Sequence, residues 1–125
     1  MKTEYAAVEP YVTKDGSLIR ELMHPQRHGN RNQSLAEATV GPGCRTALHR
    51  HIRSEELYHI TAGHGTVTLD GRQIPVSPGD TVLIEPGIPH CIESTGTGPL
   101  RMLCCCAPAY AHQDTELLED TLHRD

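Results

Sequence analysis

One segment holds most of the chemical information in this chain: Gly43-Cys44-Arg45-Thr46-Ala47-Leu48-His49-Arg50-His51-Ile52-Arg53-Ser54-Glu55-Glu56-Leu57-Tyr58-His59. It places His49 and His51 two positions apart, and His90 follows later in the chain. Because side chains alternate along a β-strand, a His-x-His pair on a strand directs both imidazoles to one face. A nearby carboxylate and a histidine from a second strand then complete three nitrogens and one oxygen. That donor set suits iron, manganese, nickel, copper or zinc, so we expect one divalent transition metal per chain.

The spacing of these residues resembles the first motif of the cupin superfamily. In that motif a glycine is followed after five residues by His-x-His, then by a glutamate and, six residues later, by a second glycine. The residues that match it are Gly43, His49, His51, Glu56 and Gly63. Glu55 competes with Glu56 for the ligand position, since adjacent strand residues face opposite ways. The six-residue gap to Gly63 selects Glu56.

The second cupin motif lies around His90. Gly79, Gly87 and His90 match it, whereas Glu85 stands where proline is usual and Ser94 where asparagine is usual. Both departures lie away from the ligand positions. The resemblance covers about residues 35–107 and implies metal ligation by His49, His51, Glu56 and His90.

Turn signals at short intervals indicate an all-β protein independently of the resemblance. The predicted strands are 17–23, 34–40, 45–52, 55–61, 65–70, 72–76, 81–84, 89–94 and 100–107. Asp70-Gly71 between two apolar runs predicts a hairpin. Many short strands with Gly/Pro turns favour a sandwich or barrel. The resemblance implies one cupin-type double-stranded β-helix, or jelly-roll barrel.

We expect a single domain with three parts. Residues 1–33 form an N-terminal strand and polar loop, residues 34–107 form the barrel core, and residues 108–125 form a tail. Within the tail, Asp114-Thr115-Glu116-Leu117-Leu118 resembles a capped amphipathic turn, which predicts a short C-terminal helical turn.

Composition narrows the classes of function. The chain has 125 residues and a formal net charge of −5, which argues against a nucleic-acid partner because phosphate binding needs a basic face. It contains no signal-peptide-like N-terminus and no apolar run long enough to cross a bilayer, so we expect a cytoplasmic protein. The five cysteines lack metal-type spacing, and we expect Cys104, Cys105 and Cys106 to be reduced and structural.

Two further expectations come from strand patterns. Both faces of residues 100–106 are largely apolar, which predicts that a second copy of the chain covers one of them in a homodimer. Tyr58 is in phase with Glu56, so its hydroxyl faces the same pocket, either as a hydrogen-bond donor or acid or as part of the core. His59 is out of phase with Glu56 and should face away.

Several residues remain open as candidates for binding. Arg27, Arg31 and Arg45 either hold an anionic group of a substrate or are ordinary surface residues. Tyr110 and His112 follow the last predicted strand, and we expect them to close one end of the barrel in a structural role.

Two classes of function fit the predicted site. An enzyme would use open metal positions to bind a small oxygen-rich metabolite, and the resemblance allows dioxygenase, isomerase, decarboxylase or lyase chemistry. One form of it would be a sugar-phosphate isomerase similar to mannose-6-phosphate isomerase. A non-catalytic module would use the same pocket to bind or sense a small molecule. A second titratable group facing the metal would favour the enzyme, and Tyr58 is the candidate that strand phase supplies.

Overall fold

The computed structural model describes residues 1–119 and is built almost entirely from β-strands. The strands are β1 (Tyr11–Val12), β2 (Leu18–Met23), β3 (Ser34–Val40), β4 (His49–His51), β5 (Glu55–Ala62), β6 (Gly65–Leu69), β7 (Arg72–Val76), β8 (Thr81–Ile84), β9 (His90–Ser94), β10 (Leu100–Ala107) and β11 (Thr115–Leu117). Short helical turns lie at Tyr5–Ala7, Pro25–His28 and His112–Asp114. The strands expected between residues 55 and 107 therefore occur where the turn signals placed them.

The strands form two antiparallel sheets. The larger sheet has the order β1-β2-β3-β10-β5-β8, and the smaller one has the order β11-β4-β9-β6-β7. Strands that are neighbours in a sheet are often distant in sequence, which is the pattern of a double-stranded β-helix. The expected all-β fold is confirmed, although the two sheets do not close into a hydrogen-bonded barrel.

Strand alternation creates the core between the sheets. On β10 the inward residues Leu100, Met102 and Cys104 are buried, and on β5 the inward residues Tyr58 and Ile60 are buried. Val67, Ile84 and Ile92 from neighbouring strands complete this apolar cluster. The same alternation carries Glu56 inward at one end of β5, so the core and the polar site share one interior.

The glycine that ends the first motif is required by close packing. Gly63 has a φ of 82°, a conformation that glycine adopts without steric cost. A Cβ at this position would lie only 2.5 Å from the carbonyl oxygen of Pro99. The chain turns here from β5 into β6, so glycine is needed for both backbone angle and space.

The outer face of the larger sheet carries a row of apolar side chains. Cys105 pairs with Leu35 on one side and with Leu57 on the other, and Leu57 pairs with Leu83. Leu35, Leu57 and Leu83 remain 37%, 40% and 50% exposed. This outer row (Leu35, Cys105, Leu57 and Leu83) is the apolar second face that the sequence of β10 predicted.

The C-terminal tail differs from its prediction. A short helical turn is present at His112–Asp114, and it overlaps the predicted segment 114–118 only at Asp114. Instead, β11 pairs with β4, with Thr115 opposite His51 and Leu117 opposite His49. The exposed edge of β4 offers unpaired backbone groups, and pairing with the tail outweighs the weak local helical preference. Residues 120–125 of the predicted tail lie outside the described part of the chain.

Two smaller differences occur near the N-terminal half of the chain. The predicted strand 45–52 is regular only at His49–His51, with an isolated bridge between Arg45 and Glu93. The polar loop after β2 contains the short helix Pro25–His28, whose first turn is capped by the side chain of His24.

Within residues 1–119, no helix has the length and apolar character needed to cross a membrane.

Candidate metal centre

Two neighbouring strands bring three histidines together. His49 and His51 lie on the inward face of β4, and His90 at the start of β9 is directly opposite His49. The ring centroids of His49 and His90 are 4.1 Å apart, and all three side chains are buried. One nitrogen from each ring lies within 4.8 Å of the others. This cluster is therefore able to bind a metal ion.

Each of the three imidazoles uses its Nδ1 atom for a hydrogen bond outside the cluster. His49 Nδ1 donates to the carbonyl oxygen of Ala47 at 2.8 Å, and His90 Nδ1 donates to that of Ile88 at 2.9 Å. A carbonyl oxygen only accepts, so the proton of each neutral ring lies on Nδ1. The Nε2 lone pairs are then free toward the centre of the cluster, as in proteins that ligate metals through histidine.

Glu56 adds a carboxylate to the histidine cluster. Its Oε1 atom lies 3.1 Å from His51 Nε2 and 3.5 Å from His90 Nε2. Cys106 supports the other oxygen, because its thiol donates to Glu56 Oε2 at 3.4 Å. The carboxylate is thus held toward the histidines.

A metal cation fits this arrangement on chemical grounds. Burial, and then the proximity of His90, lower the pKa of His49 to about 4, so its ring stays neutral. Among the described residues, His90 Nε2 is a buried nitrogen with no hydrogen-bond partner. A buried polar atom without a partner costs free energy, and here it faces a carboxylate and further lone pairs. A cation would satisfy all of them together.

A second carboxylate, from Asp15, also faces the cluster. Its Oδ2 atom is 3.5 Å from His49 Nε2, and its Oδ1 atom accepts hydrogen bonds from the backbone and hydroxyl of Ser17. A backbone hydrogen bond from Ala47 to the carbonyl of Asp15 ties this turn to β4. The dipeptide Asp15-Gly16 is a common turn signal, and it does not indicate a role in a metal site. No local signal links residue 15 to residue 49, because their proximity arises from tertiary structure.

Tyr58 occupies the position that strand phase predicted. It is buried beneath the cluster, and its ring meets that of His90 edge to face, with centroids 6.1 Å apart. Burial, and then the charge of Glu56, raise its pKa well above the ordinary value, so its hydroxyl keeps its proton. His59 faces the opposite way, is exposed and contacts Thr81.

The remaining candidates lie at the periphery of the site. Arg45 forms an ion pair with Glu119 at 2.7 Å. The guanidinium of Arg27 lies over the ring of Tyr11 at 5.8 Å. Arg31 is exposed. Tyr110, expected to be structural, packs edge-on against His51, with its hydroxyl next to the side chains of Thr13 and His112.

A pocket between the sheets leads to the cluster. It encloses about 590 Å³ of empty space, solvent at its opening included. Its walls include apolar residues of β3 and β10, and His49, His51, Glu56 and Asp15 line it as well.

Comparison with known proteins identifies the family of this architecture. The family model described as "Cupin domain" matches residues 36–106. An uncharacterized protein of Methanocaldococcus jannaschii is 53% identical over 119 residues, which cover 95% of each chain. The oxalate-binding protein of Thermotoga maritima is 33% identical over 86 residues, which cover 69% of this chain and 67% of that protein. The structure of the nucleoside dehydratase Pac13 of Streptomyces superposes with a TM-score of 0.79 at 18% identity, covering 95% of this chain and 91% of that one, and this likeness concerns the fold alone.

Proposed function

This chain belongs to the cupin family, and on that premise we propose that it is a metal-dependent enzyme that acts on a small oxygen-rich molecule. The observation that carries the proposal is the buried His90 Nε2, which has no partner among the described residues and faces Glu56 and two further imidazoles. A buried nitrogen without a partner costs free energy, and a cation bound between His90 Nε2 and the Glu56 carboxylate would satisfy it.

The proposed ligands are Nε2 of His49, His51 and His90 together with a carboxylate oxygen of Glu56. Nitrogen and oxygen donors of this kind suit iron, manganese, nickel, copper or zinc. When bound, such an ion supplies a Lewis acid or a redox centre at which an oxygen atom of a small molecule binds. Cys106 donates a hydrogen bond to Glu56, and the carbonyl oxygens of Ala47 and Ile88 accept hydrogen bonds from His49 and His90. These contacts orient three of the proposed ligands.

The position of Asp15 favours an enzyme over a binding module. Its Oδ2 atom faces the same space as His49 Nε2, so it is placed to accept a proton from a hydroxyl group bound there. Ser17 fixes the other oxygen of Asp15 and thereby the orientation of the carboxylate. Tyr58 retains its proton and is placed to donate a hydrogen bond from below. Isomerase, dehydratase and lyase reactions use one protein group that accepts a proton from the bound molecule and another that donates a hydrogen bond to it.

A non-catalytic binding protein is the second candidate. The Thermotoga maritima relative is named an oxalate-binding protein, and a pocket with a metal is sufficient for that role. A sugar-phosphate isomerase is a third form, but it needs positive charge for the phosphate. The charged residues that line the pocket are carboxylates and histidines, without lysine or arginine.

The experiment that separates these candidates begins with metal analysis of protein purified without chelators. The metal-loaded protein is then incubated with neutral sugars, sugar phosphates, hydroxy acids and catechols, with oxygen uptake followed in parallel. Turnover that is lost in Asp15→Asn while metal content is kept supports the enzyme. A compound that binds tightly and is recovered unchanged, in air and without oxygen, supports the binding module.

We also propose that the outer row is covered by a second copy of the chain. Its three leucines form a continuous apolar strip across adjacent strands of the larger sheet. A strip that repeats on each copy is self-complementary about a two-fold axis, which is the usual symmetry of small homodimers.

A further inference from the structure

A buried carboxylate at a distance from the histidine cluster, that of Glu21, lacks half of its hydrogen bonds. Glu21 projects inward from β2, is 5% exposed and lines the same pocket as the cluster. Its Oε2 atom accepts a hydrogen bond from the hydroxyl of Tyr11 at 3.1 Å. Its Oε1 atom is buried and has no partner in the described structure.

An unpaired carboxylate oxygen in an apolar pocket is costly for the fold. Desolvating an acceptor without replacing its hydrogen bonds destabilises a protein, and more so for a charged group. Glu21 lies opposite Ala36, among the small apolar residues of β3, where an aliphatic side chain would pack without this cost. No lysine or arginine of the described residues lies within ion-pair distance of its carboxylate. The free oxygen is therefore available to a hydrogen-bond donor on a molecule in the pocket.

The charge of the whole pocket restricts the kind of molecule. Three carboxylates line it, from Asp15, Glu21 and Glu56, and no lysine or arginine does. A divalent ion at the histidines would offset two of these charges and leave the pocket with a net negative charge. Doubly charged anions would therefore be repelled, while neutral and singly positive molecules would not.

Arg27 does not neutralise the negative charge of the pocket. It lines an adjoining pocket that shares Tyr11, Glu21 and Tyr110 with the main one. Its guanidinium lies over the ring of Tyr11 and forms no ion pair with Glu21. The Tyr11 hydroxyl is already used as a donor to Glu21 Oε2, so the Oε1 atom remains the open acceptor.

We propose that Glu21 is a ligand-recognition residue and that the ligand is a neutral or singly positive molecule with hydroxyl or amino groups, rather than a phosphate monoester or a dicarboxylate. One end of the ligand reaches the histidine cluster, and a hydroxyl or ammonium group at its other end donates to Glu21 Oε1. This inference rests on the proposed function for the pocket, and it distinguishes this chain from its oxalate-binding relative.

The first test measures binding of four matched probes by calorimetry: glucose, glucosamine, glucose 6-phosphate and oxalate. Glucosamine or glucose should bind at least tenfold tighter than the two dianions. Glu21→Gln, which keeps the shape and the Tyr11 contact, should weaken glucosamine binding at least tenfold, whereas the exposed control Glu93→Gln should not. The proposal is overturned if oxalate or glucose 6-phosphate binds tightest, if neither glucose nor glucosamine binds, or if Glu21→Gln leaves glucosamine binding unchanged.

The second test needs no ligand and no metal. If Oε1 is truly unsatisfied, Glu21→Gln should raise the melting temperature of the empty protein, since it removes a buried charge and keeps the acceptor for Tyr11. A lower melting temperature would show that the carboxylate is structural and would overturn the proposal. Metal content, measured on the same samples, reports separately on the histidine site: a wild-type protein that takes up no metal refutes the proposed function, whatever the behaviour of Glu21.

Discussion

The hydroxyl of Thr115 lies 3.0 Å from Nδ1 of His51 and donates its own hydrogen to the carbonyl of Ala111 at 2.9 Å. Because its hydrogen is used, Thr115 Oγ1 accepts from the N–H at Nδ1 of His51 and leaves Nε2 unprotonated toward the cluster. The C-terminal strand β11 therefore orients a ligand that lies on β4.

Replacing Thr115 with valine should weaken metal binding while the fold is kept. The variant preserves side-chain shape but removes the acceptor that fixes the His51 ring, and loss of such a partner lowers metal affinity about 10–100-fold. Competition with a chromophoric chelator measures the change. Thr115→Ser, which keeps the hydroxyl, is the matched control. Equal affinity in Thr115→Val and wild type would mean that this contact does not orient the ring.

The proposed ligand set predicts one metal per chain, held at about 2.0–2.2 Å by nitrogen and oxygen if the ion is zinc-sized. His51→Ala should lose the metal and keep its β-sheet spectrum, because the apolar core lies deeper between the sheets. His59→Ala, on β5 of the larger sheet and facing outward, should keep the metal. Elemental analysis of purified variants is the measurement. Metal content that persists in the double variant His49→Ala and His90→Ala would contradict the assignment.

The shared face of His49 and His51 and the inward direction of Tyr58 could be predicted because they depend on strand phase, whereas His90 was assigned to the cluster through its match to the second cupin motif. His49 and His51 share a face by a period of two, and the turn signals around them limit where the strands begin and end. Asp15 and Glu21 could not be placed in this way, because their positions beside the pocket depend on how separate segments of the chain pack in three dimensions. The prediction for the C-terminal tail was misplaced for the same reason. Its short amphipathic pattern does not indicate that the edge of β4 is available for pairing.

The cysteines should differ sharply in reactivity. Burial, followed by the charge of Glu56, raises the pKa of Cys104 and of Cys106, so neither thiol forms the reactive thiolate near neutral pH. Cys44 is exposed, and Cys105 is partly exposed on the outer row. Thiol titration of the native protein should label Cys44 rapidly and at most one cysteine of the triplet, whereas denaturant should expose all five. Rapid native labelling of two or more of residues 104–106 would contradict a structural role.

The outer row predicts a dimer that one charge can disrupt. Leu57→Glu would place a carboxylate at the centre of the apolar strip, where a two-fold axis brings it close to its copy. This variant should be monomeric by light scattering at micromolar concentration, while the wild type has the mass of a dimer. Leu118→Glu, at a similarly exposed leucine outside the row, should remain dimeric. A monomer mass for the wild type would rule the dimer out.

Tyr58 should make the stability of the metal-free protein depend on alkaline pH. Burial, and then Glu56, raise its pKa in the folded state, whereas the unfolded chain has the ordinary value of about 10. The stabilisation is therefore complete below pH 10, and it is lost as the pH rises above 10, because the unfolded state then releases the proton that the folded state retains.

Tyr58→Phe keeps the ring against His90 but removes this ionisation. Its unfolding free energy should fall less steeply above pH 10 than that of the wild type, by up to about 1.4 kcal/mol per pH unit. Urea denaturation at several pH values between 8 and 11.5 measures both slopes, and the buried cysteines contribute equally to each. Tyr5→Phe, at an exposed ring, serves as the control and should show a smaller change. Identical slopes for Tyr58→Phe and wild type would mean that the hydroxyl ionises in the folded protein, in which case it could not serve as a retained hydrogen-bond donor beside the histidines.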